Sequence, residues 1–557
     1  MGRLSIGSLR RPFSLVAVTS LLVIATTLGR FGIDDAFINF RYAENLASGL
    51  GPVFNPGERI EGYTTPAWVF LLAGLHRLGA PLLGSAHVLD IGAAAATVLV
   101  VGGMASRMAP RLGGIAGALA AVVVALHPGV LFWSASGMET SLFMLLVLLG
   151  VTAATRVEAA AWAGFLCGLA AITRPEGLLL GAGAALGLGR RGGWRPLARF
   201  AVGFLGLTGA LEIFRIAYFG ALLPNTFYAK VGLQLRHGLW YVWQFVRDGG
   251  WVFAVAPAAL IGPRRAVAAL WLAVIGAYVA WVASIGGDVF AFHRFIVPVI
   301  PLLALLVAVA AEAVLGTQPA LAAALTAVLV LLWVGGLRGT YAYAWSAARG
   351  IDGISAVLRP TGLALRSGAP TGTTVAMVAV GAIPFFAGPG IRVIDMMGLV
   401  DAHIARHGVR VPDGLPAHAR YDNLYVLERL PDLILVPPPS VWSSCRRPLT
   451  AAAVRTDPCG TAFLGRVGIE TGLYGRDCPP GPRPACPYAL PVEIDLMSAE
   501  RRAMFEPVYE RVSELPVIGR LNAYRRRGWT LPSAGPPPPG ATRSETGLQA
   551  ERAAGDE

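Results

Sequence analysis

Long apolar runs recur along the first 336 residues of the chain and then stop. They extend from Phe13 to Gly336, and most are long enough to cross about 30 Å of hydrocarbon as helices. Beyond them the apolar runs are short, and Pro, Arg and Asp are frequent. The pattern predicts a mainly α polytopic membrane helical bundle at 1–338 and a water-soluble domain at 339–531. The proline-rich tail at 532–557 is expected to be disordered.

The apolar runs predict about eleven membrane spans. Their ranges are about 14–29, 87–105, 113–133, 140–155, 159–173, 177–189, 200–218, 250–262, 266–285, 294–314 and 319–337. The basic N-terminus before 14–29 also fits a cleavable signal, but no A-x-A site follows, and we favour an uncleaved span. The short run 68–78 and the segment 233–250, which mixes Trp and Tyr with Arg, are expected to lie in the membrane interface.

The soluble region alternates short β-rich runs with helical patterns. The runs at 374–386, 391–401 and 425–436 predict a small α/β domain. No G-x-G-x-x-G fingerprint is present, so no nucleotide site is inferred. Four of the five cysteines fall in this region, which suggests two disulfides and an oxidising compartment; they are Cys445, Cys459, Cys478 and Cys486. Zinc is the less favoured alternative, because no C-x-x-C pair occurs.

Charge supports this topology. Only 14% of the 557 residues are charged, against about a quarter in soluble domains. The net charge of +13 comes largely from Arg in short loops between apolar runs, as the positive-inside rule predicts, and does not call for a nucleic acid partner. With the N-terminus inside, the soluble domain lies outside the cytoplasmic membrane.

The same topology brings the polar motifs to one membrane face. They are Asp34–Thr65, SASGMET at 134–140, TRPEG at 173–177, ALLPNTFYAK at 221–230 and GGDVFAFHR at 286–294. Loops that converge on a rigid helical scaffold are the usual way to build an active site.

Asp34 and Asp35 begin the most informative of these motifs. On a helix that starts there, Asp35, Asn39 and Tyr42 share one face, and Asp34 and Arg41 lie on the neighbouring one. Charge beside hydrocarbon is costly, so an acidic pair there predicts a functional site, and a carboxylate could deprotonate an acceptor hydroxyl. The alternative is a helix N-cap, which accounts for one Asp but not for both.

Basic residues on the same face are candidates for binding a phosphate. His293 and Arg294 precede a predicted span, and Arg offers bidentate hydrogen bonds to phosphate; a snorkelling interfacial Arg is the alternative. Arg174 and Lys230 are weaker candidates of the same kind. The alternative for Arg174 is that it stands in an ordinary turn with Pro175 and Gly177, and the alternative for Lys230 is a solvated surface side chain.

Other polar residues are candidate substrate contacts. Glu139 could instead complement a helix dipole, and Asn225 could cap a turn. The full set of candidate substrate contacts is Arg41, Glu61, Tyr63, Glu139, Asn225 and Asp288. No cluster with metal-ligand spacing is seen, so no metal and no cofactor are predicted.

These motifs resemble a known class of enzymes. The run DDAFINFRYAENLASGLGPVFNPGERIEGYTTPAW is similar to the first outer loop of GT-C glycosyltransferases, which use polyprenyl-phosphate sugars. The later SGMET, TRPEG, FGALLPNTFYAK, GGDVFAFHRF and IDMMGLVDAHIARHG resemble a bacterial branch that includes terminal arabinofuranosyltransferases and RgtA/B/C/D-like proteins. The match runs from about 34 to 436 and is specific for the class rather than for the sugar.

The resemblance implies a function. In such enzymes an Asp of the first outer loop acts as base or contacts the acceptor. This role maps onto Asp34 or Asp35, with Asp34 slightly favoured. Basic residues of later loops hold the donor phosphate, which maps onto His293 and Arg294. The expected reaction transfers a sugar, best guess arabinofuranosyl, from a polyprenyl-phosphate sugar donor to a cell-envelope glycan acceptor on the outer face of the cytoplasmic (inner) membrane.

Three alternatives remain open. A transporter or flippase of lipid-linked sugars predicts charges near span midplanes, for which Glu212, Arg215 and Glu312 are candidates. A receptor or assembly protein predicts that both Asp34 and Asp35 are replaceable. A ligase of lipid-linked glycans would move a whole glycan from a polyprenyl diphosphate.

Overall fold

Helices dominate the chain up to residue 368, and a small α/β domain follows them. The computed structural model describes residues 17–22, 25, 32–230, 232–288, 290–410, 420–436, 509–512 and 522–526. The predicted architecture, a membrane helical bundle followed by an α/β unit, is confirmed. The four soluble-region cysteines and the tail from 532 lie outside the described residues, so the disulfides and the disorder stay predictions.

The helices are numbered in chain order, and residues 17–22 are the described part of α1. The others are α2 Asp34–Ala47, α3 Pro66–Arg77, α4 Leu82–Met108, α5 Gly114–Leu126, α6 Pro128–Ser134, α7 Thr140–Ala153, α8 Ala160–Thr173, α9 Gly177–Gly192, α10 Trp194–Phe219, α11 Asn225–Lys230, α12 Leu235–Arg247, α13 Arg265–Ser284, α14 Ile300–Leu315, α15 Pro319–Gly336, α16 Arg338–Gly368, α17 Ala382–Ala387, α18 Ala402–His407 and α19 Asn423–Glu428. Two 3₁₀ helices cover Gly250–Ile261 and Val297–Val299.

Five helices in the described part of the chain are long and apolar enough to cross a membrane, or six with one bent pair. They are α4, α10, α13, α15 and the continuous segment Val297–Leu315. The helices at Thr140–Ala153, Ala160–Thr173 and Gly250–Ile261 are apolar but shorter, so the count of about eleven spans stays a prediction.

The span predicted at 113–133 is bent in the structure. The chain bends by 57° between α5 and α6. Pro128 has no N–H to continue the helix, and it forces the preceding residue out of the helical region. His127 accordingly has an extended ψ of 124°, and its ring accepts a hydrogen bond from the N–H of Gly129 at the start of α6.

The segment predicted as an amphipathic helix forms α12. Its buried positions Gly238, Tyr241 and Phe245 lie on one face, and Leu239 and Trp243 are exposed. A Cβ at Gly238 would come within 1.7 Å of the carbonyl oxygen of Ala283, so only glycine allows this close packing on α13. Its location in the membrane interface stays a prediction.

Among the described residues, the α/β domain forms a five-stranded sheet in the order β2-β1-β5-β7-β6. Its strands are β1 Thr374–Met377, β2 Arg392–Asp395, β5 Leu433–Val436, β6 Tyr509–Val512 and β7 Asn522–Arg526, and a separate pair is formed by β3 Val409–Arg410 and β4 Arg420–Tyr421. β1 lies between β2 and β5, parallel to both, with Val375 opposite Val393 and Leu433. The two C-terminal strands are antiparallel.

Asp395, at the end of β2, makes the stability of this domain pH-dependent. Burial raises the pKa of its carboxyl to about 7, against hydrogen bonds from the N–H groups of Val400 and Met397 that lower it. The native state therefore binds more protons than the unfolded chain between about pH 4 and 7, and the free energy of unfolding falls as pH rises through that window.

Across this window, Asp395 is expected to lower the free energy of unfolding by a few kcal/mol, on the order given by the shift in its pKa. Thermal unfolding of the full chain in nanodiscs, followed by tyrosine and tryptophan fluorescence, should show a shallower loss of stability between pH 4.5 and 7.5 for Asp395→Asn than for the wild type. Equal slopes for the two proteins would contradict the assignment.

Candidate active site

Helix α2 begins at Asp34, as predicted, and places the two acidic residues in its first turn. The N-cap residue is Ile33, and no side chain caps the helix, so the N-cap interpretation of the acidic pair is wrong. The two carboxylates instead have different partners, because successive helical residues point in directions about 100° apart.

Asp34 binds the α/β domain. Its two carboxylate oxygens accept hydrogen bonds from the N–H groups of Ala382 at 2.7 Å and Gly381 at 3.0 Å, at the start of α17. Burial raises the pKa of Asp34 to about 6, although these hydrogen bonds lower it in part and the neighbouring Asp35 raises it further. The slight preference for Asp34 as base is therefore not supported by its geometry.

Asp35 faces a cationic group. Its carboxylate oxygen lies 3.8 Å from Nη1 of Arg294, and 27% of its side chain is exposed. That distance is longer than a hydrogen bond, so Asp35 keeps its acceptor capacity for another group. Of the two carboxylates, Asp35 is the one that a substrate hydroxyl could reach.

The loop before the Val297–Leu315 segment presents Arg294 through an unusual backbone. Gly286 and Gly287 have φ of 93° and 71°, and Phe292 and His293 have φ of 61° and 58°. A left-handed conformation costs a non-glycine residue about 1–3 kcal/mol and persists only where the surroundings hold it.

Aromatic and ionic contacts hold this strained turn in place. The indole N–H of Trp133 donates to the carbonyl of Phe292, and the Phe292 ring stacks on Phe132. His293 donates through Nε2 to the carboxylate of Asp248 at 3.2 Å. His293 is thus occupied by Asp248 and packed against aromatic rings, while the next residue, Arg294, faces the site.

Arg294 is buried, and its orientation is fixed by Asp288. The carboxylate of Asp288 lies 2.7 Å from Nε and accepts a hydrogen bond from Nη2 at 3.2 Å. The guanidinium also lies over three aromatic rings, those of Trp133, Phe290 and Phe295. Asp288 therefore positions Arg294 and leaves Nη1, which donates no hydrogen bond to a described residue, open toward Asp35.

A second cation lies beside this pair. Lys230, the last residue of α11, is close enough to Asp35, Asp288 and Arg294 to interact electrostatically with all three. The residue is exposed, and its ammonium group has no hydrogen-bond or ion-pair partner among the described residues. The site thus contains one accessible carboxylate, one directed guanidinium and one unpaired ammonium.

Arg174 is not available to a substrate phosphate. Its guanidinium binds the carboxylates of Glu139 at 2.7 Å and Glu176 at 2.8 Å in a buried cluster. Burial alone would lower the pKa of Arg174, but the two carboxylates hold it above its usual value. Glu139 is fully buried, and its Oε1 binds Arg174, whereas its Oε2 has no hydrogen-bond partner among the described residues.

Arg41 and Asn225 make buried hydrogen bonds to backbone carbonyls. The buried guanidinium of Arg41 donates to the carbonyl of Phe54 in the loop after α2. It also donates to three carbonyls of the α/β domain, those of Pro384, Gly388 and Ile391. The amide of Asn225 donates to three carbonyls of the loop after β2: Gly398, Leu399 and Asp401. Sequence reasoning missed the contacts of Asn225 because its partners are backbone atoms more than 170 residues away.

Glu61 and Tyr63 lie inside the protein. Glu61 is 3% exposed and binds Arg215 through distances of 2.6 and 3.2 Å. Tyr63 is 2% exposed and packs edge-on against Tyr42.

The charges that a transporter would need have structural partners instead. Arg215 binds Glu61 and Glu212, close to the C-terminal end of α10. Glu312 accepts hydrogen bonds from the N–H groups of Arg111 and Leu112 in the turn between α4 and α5. Within the described ranges, no group of three or more His, Cys, Asp or Glu side chains could hold a metal ion.

Two contributors to the site were missed. Asp248 holds His293, and Trp133 holds both Phe292 and Arg294. Their only signal in the sequence is position: Asp248 ends an amphipathic segment, and Trp133 directly precedes the SASGMET motif.

Comparisons with known proteins agree with this picture. A family model described as a domain of unknown function, DUF8728, matches residues 351–464. A terminal beta-(1->2)-arabinofuranosyltransferase of Mycobacterium tuberculosis is 32% identical over 262 residues, which cover 42% of this chain and 40% of that protein. A protein of the same name from Corynebacterium glutamicum is 30% identical over 248 residues, with coverage of 39% and 35%. The chain thus matches less than half the length of these relatives.

Solved structures show the fold. The apo crystal structure of ArnT from Cupriavidus metallidurans superimposes with a TM-score of 0.52 at 16% identity, and covers 78% of this chain and 94% of ArnT. ArnT bound to undecaprenyl phosphate gives a TM-score of 0.50 with the same coverage. The chain therefore shares the fold of ArnT, and its multi-pass membrane character and its resemblance to terminal arabinofuranosyltransferases are confirmed.

Proposed function

We propose that this protein is a membrane glycosyltransferase that moves a sugar, with arabinofuranosyl as the first candidate, from a polyprenyl-phosphate donor to a cell-envelope glycan. The observation that carries the proposal is the distance of 3.8 Å between the Asp35 carboxylate and Nη1 of Arg294, with the unpaired Lys230 beside them. A base for a hydroxyl and two cations for a phosphate thus share one site. The ArnT fold and the names of the two sequence relatives support it.

The reaction follows from these three side chains. Asp35 accepts the proton of an acceptor hydroxyl as its oxygen attacks the anomeric carbon of the donor sugar. The bond between that carbon and the phosphate oxygen breaks, and its electron pair leaves with the polyprenyl phosphate. Nη1 of Arg294 and the ammonium of Lys230 stabilise the charge that develops on the phosphate. The sugar arrives already activated by its phosphate, so the proposal includes neither a cofactor nor a metal.

Asp288 prepares Arg294 for this role. Its carboxylate lies 2.7 Å from Nε and accepts a hydrogen bond from Nη2, and this contact directs the Nη1 edge toward the site. A donor group that is oriented in advance costs no reorganisation when charge develops. The carboxylate of Asp288 itself is 5% exposed and belongs to this arrangement rather than to substrate binding.

We place the site on the outer face of the cytoplasmic membrane, with the α/β domain extracytoplasmic. Helix α9, predicted as a span at 177–189, supports this orientation. Glu176 precedes it and binds Arg174, which interacts electrostatically with Lys230 and Arg294, and Arg190 and Arg191 end it. Arginines collect on the cytoplasmic side, so the opposite end of α9 faces outward. Undecaprenyl phosphate, which ArnT binds in its solved structure, is the kind of lipid carrier we propose for this site.

A donor panel tests the proposal. Purified full-length protein in nanodiscs is given radiolabelled polyprenyl-phosphate sugars, including the arabinofuranosyl donor, with an arabinan acceptor, and products are separated by chromatography. We expect a new glycoside and free polyprenyl phosphate in equal amounts. Transbilayer movement of donor without a glycoside product would support the flippase alternative, and transfer only from a diphosphate-linked glycan would support the ligase.

A further inference from the structure

Helix α2 binds the short helix α17 of the α/β domain at both of its ends. At the amino end of α17, the carboxylate of Asp34 accepts hydrogen bonds from the N–H groups of Gly381 and Ala382. The guanidinium of Arg41, two turns further along α2, donates to the carbonyls of Pro384 and Gly388 at the other end. Negative charge at a helix amino end and positive charge at its carboxyl end are each the favourable choice.

Aromatic packing fills the space between these two contacts. The ring of Phe37 lies 5.5 Å from those of Phe385 and Phe386, and Phe40 lies 6.0 Å from Phe385. Gly381 brings the two backbones together, since a Cβ there would lie 1.8 Å from the carbonyl oxygen of Asp34. The first turn of α2 is therefore in direct contact with the α/β domain.

This contact has a consequence for Asp35, the next residue. No side chain caps α2, and the contacts of Asp34 and Phe37 with α17 hold its first turn against the α/β domain. We propose that Asp34 is a positioning residue: by binding the amino end of α17 it fixes the first turn of α2, and so the distance from Asp35 to Arg294. The inference rests on the proposed function, because it takes Asp35 as the base.

Kinetics of full-length protein in nanodiscs test the role of Asp34. Asparagine keeps the shape of the side chain but replaces one acceptor oxygen with a donor, so one of the two N–H groups loses its partner. A displacement of about 1 Å can cost about 10²-fold in rate, so Asp34→Asn should lower kcat about 10- to 100-fold, while the Kd for donor is unchanged.

A double variant separates positioning from chemistry. If Asp34 acts through Asp35, then Asp34→Asn should lower the residual rate of Asp35→Asn no further, because the two changes then share one effect. A wild-type kcat for Asp34→Asn would overturn the proposal. So would an equal and independent loss in both single variants, which would make Asp34 a second catalytic group.

Hydrogen exchange tests the contact without relying on turnover. The amides of Gly381 and Ala382 should exchange slowly in the wild type and faster in Asp34→Asn. The matched control is Glu58→Gln, which removes the ion pair between Glu58, in the loop after α2, and Arg392, in β2 of the α/β domain. This exposed contact should matter little, so kcat should change by less than about twofold. Unchanged exchange in Asp34→Asn overturns the positioning role. Absence of any glycoside from wild-type protein would instead reject the proposed function, and exchange would still decide the role of the contact.

Discussion

Asp35→Asn is expected to lower kcat by about 10²- to 10⁴-fold, the usual contribution of a general base. Asparagine preserves the size of the side chain but cannot accept the proton of an attacking hydroxyl. Asp35 makes no close hydrogen bond to Arg294, so the folded structure should lose little. The measurement is the initial rate of glycoside formation in nanodiscs at saturating donor and acceptor.

Comparing kcat with the Kd for donor distinguishes the loss of a catalytic base from a weaker binding of substrate. The Kd for donor, measured by titration with a fluorescent polyprenyl phosphate, should change little, because Asp35 acts on the acceptor hydroxyl. Turnover within tenfold of the wild type would reject Asp35 as the base. The receptor alternative predicts that outcome for Asp35 and for Asp34 alike.

Arg294→Gln is expected to have the second large effect, a loss of about 10²- to 10³-fold in kcat, because a directed donor to the leaving phosphate is removed. The change also leaves Asp288 buried without its partner, which typically costs about 3–5 kcal/mol of stability. A measured loss of activity could therefore come from unfolding unless stability is measured with it.

A second substitution resolves this ambiguity. In Arg294→Gln/Asp288→Asn the buried carboxylate is neutralised as well, so thermal stability should recover toward that of the wild type while kcat stays low. Arg294→Lys keeps the charge but loses the planar fork that Asp288 orients, and should be intermediate in rate. Recovery of turnover in the double variant would show that Arg294 supports the fold only.

Much of the architecture could be read from the sequence because it depends on local pattern. Apolar runs of membrane length predicted the bundle, and short β-rich runs alternating with helical patterns predicted the small α/β unit that contains β1, β2 and β5. The same reasoning brought Asp35, Lys230 and Arg294 to one site, because loops on the same side of a helical bundle converge.

The roles of individual residues could not be read in the same way. Arg41, Glu61 and Asn225 stand in polar motifs with the composition of a binding site, yet each binds a distant part of the chain. A polar side chain buried beside a bundle needs partners whether or not it touches a substrate. Composition therefore does not distinguish a structural hydrogen bond from a functional one.

The sequence by itself determined that this protein is a helical membrane bundle with an α/β domain, and that an acidic pair lies at its first loop. Only the tertiary structure decided which partner each carboxylate has: Asp34 accepts hydrogen bonds from the backbone at the start of α17, and Asp35 lies beside Arg294. The physical reason is that burial of a charge depends on which groups surround it in space. Those groups come from segments hundreds of residues apart, and only folding brings them together.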